Sequence, residues 1–62
     1  MSQDIVREAC RSLIDMWRNS HITNEELSER LLSLDFEIDL RQLKDYPVEI
    51  VDKFTNEREV YE

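Results

Sequence analysis

The sequence contains no glycine. Glycine is the ordinary residue of phosphate-binding loops, of the dinucleotide-binding fingerprint and of the sharp turn in an EF-hand calcium loop, so its absence excludes these three sites. Glycine also serves tight turns and left-handed helix ends. Because helices joined by short polar links can manage without it better than sheets can, the missing glycine favours a helical fold.

Cysteine and histidine are almost missing as well, with one residue of each. Cys10 cannot form an internal disulfide, and His21 with scattered carboxylates does not make a zinc ligand set. Cys10 falls within the apolar arc of a predicted helix and His21 in a predicted link, so neither has a visible partner for nucleophilic or acid–base chemistry. We therefore predict a protein that is not an enzyme and has no catalytic, cofactor-binding or metal site.

The chain also lacks a long hydrophobic run. Five polar or charged residues interrupt the apolar stretch 5–17, which predicts neither a signal peptide nor a membrane span. An unpaired cysteine agrees with a reducing compartment, so we expect a cytoplasmic protein. Residues 1–62 leave room for one small domain, whose core rarely supplies more than about 3–5 kcal/mol. Self-association or docking on a partner is the expected additional support.

A wide apolar helix is the first feature that the sequence does contain. Over residues 5–17 the apolar positions recur at helical spacing and fill about half of the helical wheel, more than the roughly 100° stripe of a surface helix. Ser2 is the predicted N-cap and Asn19 the predicted left-handed stop. Part of the broad face is predicted to contact a partner or a second copy in a homodimer, through Cys10, Leu13, Ile14, Met16 and Trp17.

A second helix is predicted to begin at Thr23. Glu26 completes a capping box with Thr23, and Ile22 with Leu27 has the spacing of a hydrophobic staple. The short link predicts an antiparallel helical hairpin. As a DNA-reading element this helix would present glutamates to phosphates, so direct nucleic-acid binding is not expected.

Residues 35–40 alternate polar and apolar side chains, which is typical of a short strand, yet Asp39 and Gln42 repeat the capping-box spacing. We predict a linker followed by a short helix over residues 40–44 and keep the strand as the alternative. Pro47 suits the first position of a third amphipathic helix, and residues 55–62 read as a polar tail that frays or awaits a partner. The predicted fold is thus all-α: a helical hairpin, a short helix and a third amphipathic helix in one small domain.

The charge is segregated along the chain. Residues 1–21 carry three acidic and three basic residues, so the net charge of −7 lies wholly after His21. We predict an acidic face for a basic protein surface, made of Glu25, Glu26, Glu29, Glu37, Asp39, Glu49 and Asp52. The expected function is a small non-catalytic interaction protein or regulator that also self-associates. The alternatives are a structural accessory subunit and a nucleic-acid-mimicking inhibitor of a basic protein.

Overall fold

Two helices and a small sheet make up residues 2–62, which a computed structural model describes together with the side chains from residue 4 onward. The elements in chain order are α1 (Ser2–Arg18), α2 (Asn24–Ser33), β1 (Phe36–Ile38), β2 (Val48–Asp52) and β3 (Arg58–Tyr61). The strands pair antiparallel in the order β1-β2-β3. The all-α prediction is therefore wrong: a helical hairpin is followed by a β-meander.

The end of α1 shows how the chain turns without glycine. Ser20 takes the left-handed φ of 61°. Its N–H donates to the carbonyl of Trp17 at 3.0 Å, and the N–H of His21 donates to that of Met16 at 2.8 Å. This double hydrogen bond is a Schellman motif, one residue later than the stop predicted at Asn19. Within residues 2–62 neither helix is both long and apolar enough to cross a membrane.

The predicted start of α2 is confirmed. The N–H of Glu26 donates to Oγ1 of Thr23 at 3.1 Å, and the N–H of Thr23 donates to Oε1 of Glu26 at 3.0 Å. Both halves of the capping box are thus present. Leu27 and Leu31 are fully buried, so α2 packs its narrow apolar stripe on α1 and the sheet.

The predicted third helix is instead β2. Val48 and Ile50 are both fully buried while Val51 lies on the opposite face, which is the period of two of a strand. All three are β-branched and suit a pleated surface. Pro47 precedes the first strand residue, a position where the missing N–H does not interrupt the ladder. Phe54 is 89% exposed in the following turn.

The predicted polar tail contains β3. Tyr61 is buried, and a turn over residues 53–56 returns the chain from β2. In that turn the Oδ1 of Asp52 accepts the N–H of Phe54 at 2.8 Å, and Asn56 takes a left-handed φ of 63°. Asparagine and aspartate tolerate and stabilise such turns, so the hairpin does not need glycine. That tolerance is the physical reason why the missing glycine misled the fold prediction.

An irregular loop, residues 39–47, replaces the predicted helix over residues 40–44. The side-chain amide of Gln42 donates to the carbonyl of Glu49 and accepts its N–H, both at 2.8 Å. Given the register of β1 and β2, these are the backbone groups that Asp39 would satisfy if β1 continued. The strand that was kept as the alternative is present at Phe36–Ile38. The side chain of Gln42 adds one further pair of hydrogen bonds to the β1–β2 ladder.

Both halves of the chain contribute to one core. Its buried members are Cys10, Ile14, Trp17, Ile22, Leu27, Leu31, Phe36, Val48, Ile50 and Tyr61. At one end of this core the Arg18 guanidinium donates to three carbonyls, those of Tyr46 at 3.1 Å, Tyr61 at 2.9 Å and Glu62 at 2.7 Å. Arg18 therefore ties the last turn of α1 to the meander.

Candidate interaction site

The five residues predicted to form a partner or self interface on α1 lie mainly inside the domain. Cys10, Ile14 and Trp17 are at most 1% exposed, while Leu13 and Met16 are half-buried against the same core. The arc is wide because α1 contacts both α2 and the sheet. The apolar side chains of this arc pack inside the monomer. Self-association through this face is a prediction from the sequence alone.

Cys10 and Tyr61 are neighbouring ionisable residues in the core. Burial, followed by the negative charge of Glu59, raises the pKa of the Cys10 thiol to about 11, so the thiol stays protonated at neutral pH. Burial also raises the pKa of Tyr61, whose hydroxyl donates to Oε1 of Glu59 at 2.8 Å. His21 is exposed in the link between the helices. Among the described residues no group of three or more acidic, cysteine or histidine side chains is placed to hold a metal ion.

An open groove that α2 and the sheet line together is the better candidate. It has a volume of about 400 Å³ and lies between α2, β1, β2 and the loop 39–47. We call it the acidic groove. Its apolar floor consists of Leu32, Ile38 and Val51. Its acidic rim consists of Glu37, Asp39 and Glu49. Leu32 is 43% exposed, so the floor is accessible to a ligand.

The three rim carboxylates differ in how far they are neutralised. Asp39 is held by Arg41, whose Nη2 lies 2.9 Å from Oδ2, and this hydrogen bonding lowers the pKa of Asp39 to about 2. Glu49 Oε1 lies 3.6 Å from Nη1 of Arg58, a long and exposed contact. Glu37 forms no ion pair within residues 4–62. Glu37 is therefore the carboxylate most available to an incoming cation.

Three of the seven acidic residues predicted for a partner face line the acidic groove, Glu37, Asp39 and Glu49. Glu25 and Glu29 are exposed on α2 and lie one turn before Ser28 and Leu32, which line the groove. The other two have structural roles. Glu26 caps α2, and Asp52 accepts N–H groups in the turn after β2.

A second cleft of about 390 Å³ opens at the other end of the sheet, beside Val6, Phe36 and the exposed Phe54. Two of its three carboxylates already stabilise the fold. Asp52 holds the β2–β3 turn, and Glu59 accepts the Tyr61 hydroxyl and contacts Arg7. We therefore place the candidate site at the acidic groove and not at this cleft.

Sequence reasoning missed the apolar floor of the groove. Leu32 lies to one side of the α2 stripe, and this offset is a usable signal of a second apolar surface. Ile38 and Val51 carried no such signal, because the pairing of β1 with β2 was not predicted. The chain matches no protein-family model, no curated protein and no solved structure. The functional argument therefore rests on the geometry of the groove.

Proposed function

We propose that the protein is a non-catalytic interaction module that binds a basic segment of another protein in the acidic groove. The observation that supports it most directly is Glu37, a carboxylate without an ion pair in the described residues, which lines the same groove as the accessible side chain of Leu32. The proposal places the protein in the cytoplasm, since its single cysteine is an unpaired thiol.

The groove matches the two chemical parts of a lysine or arginine side chain. The methylene stem of such a residue can cover apolar surface while its charged end stays near water. Here Leu32 and Val51 offer the apolar surface and Glu37 the charge. The attraction acts over one Debye length and sets orientation and association rate more than affinity. The expected complex is therefore of moderate affinity and sensitive to salt.

Titration with defined peptides tests the proposal. Peptides in which lysine or arginine alternates with leucine should shift the NMR amide signals of β1, α2 and the loop 39–47, and peptides with glutamate in place of the basic residue should not. Glu37→Lys reverses the free charge at the rim. It should weaken binding by on the order of tenfold at low salt.

Glu57→Lys is the matched control. Glu57 is exposed in the connection between β2 and β3, away from the groove, and the substitution changes the net charge by the same amount. Binding that falls equally in both variants would show a response to total charge and would refute a specific groove. A partner that binds at fixed stoichiometry without any salt dependence would instead favour the structural accessory subunit.

A further inference from the structure

The outer edge of β3 has unpaired backbone groups. The N–H of Asp52 donates to the carbonyl of Glu57 at 2.8 Å. Given the register of β2 and β3, Glu59 and Tyr61 are the next residues of β3 whose backbone groups form hydrogen bonds with β2. Antiparallel ladders alternate, so Arg58 and Val60 direct their N–H and C=O groups away from β2. No strand within residues 2–62 pairs with that edge.

We propose that β3 pairs antiparallel with β3 of a second copy of this chain, with Val60 opposite Val60 on the two-fold axis. The two three-stranded sheets would then form one six-stranded sheet. This surface is distinct from the acidic groove, so the dimer does not depend on the proposed function.

The side-chain charges select this register among the symmetric alternatives. A two-fold axis at Arg58 places that arginine opposite its own copy, and an axis at Glu59 does the same with a carboxylate. Like charges directly opposite each other destabilise a strand pair. An axis at Val60 places Arg58 opposite Glu62 of the second copy twice, and Glu59 opposite Tyr61. It is the register with opposite charges facing each other.

The surroundings of the edge fit a second copy as well. Three arginines, Arg7, Arg11 and Arg58, line a groove beside Val60, so this is a basic edge on a chain of net charge −7. An incoming Glu62 is attracted there. The inward-pointing carboxylate of Glu59, a device that can protect an edge from pairing, lies 3.6 Å from Nε of Arg7 and accepts the Tyr61 hydroxyl. Its charge is thereby balanced within the same chain.

The exposed side chain of Val60 gains from the pairing. It is 57% exposed on the outer face, and a facing pair of valines at about 5.5 Å between Cα atoms removes apolar surface from water. With so few paired residues the interface is small, so the expected dimer is weak and its dissociation constant lies in the micromolar range or above.

A proline substitution at Val60 tests the pairing of this edge without disturbing the fold of the monomer. Because the N–H of Val60 points away from β2, Val60→Pro should leave the monomer folded, as proline is accepted on edge strands. It removes two intermolecular hydrogen bonds and should lower the association constant at least about tenfold. Val60→Thr keeps the N–H and the β-branched shape and should retain the dimer. Sedimentation over low to high micromolar concentration, with circular dichroism as the check on folding, gives both results.

A charge exchange tests the register even where the proline variant fails to fold. Arg58→Glu and Glu62→Lys should each weaken the dimer, and the double variant should restore it because both cross-strand pairs are again opposite in charge. The groove variant Glu37→Lys should leave association unchanged. A chain that stays monomeric throughout, a dimer that survives Val60→Pro, or a double variant without recovery would each overturn the proposal.

Discussion

The helical hairpin and the β-meander are stabilised by different kinds of contact. In the hairpin the ends of the helices are satisfied by neighbours in sequence, Thr23 with Glu26 and Ser20 with Trp17. In the meander, backbone groups depend on side chains from outside the ladder. Gln42 completes the pairing of β2, and Arg18 of α1 donates to the carbonyl of Tyr61 at the end of β3. The hairpin is specified locally, whereas the meander requires the rest of the fold.

Where the two regions meet, the fold presents two surfaces of opposite charge. Carboxylates line the acidic groove between α2 and the sheet, while the free edge of β3 lies beside arginines of α1. A sheet of three strands has two edge strands, here β1 and β3, and α2 contacts β1. The free edge of β3 and the acidic groove are the two surfaces that we propose for contacts with other molecules.

The largest expected effect tests whether the two regions unfold separately. Ile14 in α1 and Ile50 in β2 are both at most 1% exposed in the shared core. Ile14→Ala and Ile50→Ala should each cost about 2–5 kcal/mol, which is close to the whole stability of a domain this small. Both variants should lose helical circular dichroism and tertiary fluorescence in one transition. Val51→Ala, on the outer face, is the milder control.

A variant Ile50→Ala that loses the sheet but retains α1 and α2 would contradict a shared core. The hairpin would then be an independent unit, and the meander an addition to it. Amide hydrogen exchange distinguishes the two outcomes, because a single cooperative unit releases the amides of Leu31 and Ile50 together.

The sequence predicts a region well when the residues that contact each other there are close together along the chain. The start of α2 was predicted correctly because Thr23 and Glu26 are three residues apart. The strand pair Phe36 with Asp52 spans 16 positions, and no local pattern records it. Val48 and Ile50 suit either a helical face or a strand when read alone. Their pairing with neighbouring strands is what makes this segment a strand.

The same reasoning explains the partial prediction of the candidate site. The acidic residues were visible as an excess of charge, and three of them line the acidic groove. The apolar floor was not visible, because Ile38 and Val51 line one groove only once β1 has paired with β2. Charge can be counted from a sequence, but a groove requires the register of the strands.

A smaller loss of stability is expected at Gln42, whose side chain takes the place of a backbone partner for Glu49 in the meander. Gln42→Ala removes two hydrogen bonds to Glu49 and should cost about 1–2 kcal/mol. The N–H of Glu49 should then exchange with solvent faster, while the amides of α1 and α2 change little. Thr23→Ala, which costs about 1 kcal/mol through the lost cap, should have the opposite pattern, with faster exchange confined to the first turn of α2. An unchanged exchange rate at Glu49 would refute the role assigned to Gln42.

The smallest effect concerns the charge at the rim of the acidic groove as the pH falls. The hydrogen bonds from Arg41 lower the pKa of Asp39 from 3.8 to about 2 in the folded protein. A carboxyl with a lowered folded pKa stabilises the fold above its unfolded pKa and loses this contribution as the pH falls through the folded value. The loss is therefore expected between about pH 4 and pH 2, and it is small because Asp39 is exposed.

Arg41→Gln should return the pKa of Asp39 toward 3.8 and remove this part of the acid sensitivity, as followed by NMR titration of the side-chain carboxyl. The same variant frees a second carboxylate at the groove, so binding of a basic peptide at neutral pH should strengthen. If Asp39 already titrates near 3.8 in the unmodified chain, Arg41 does not hold it, and the rim then carries two free carboxylates instead of one.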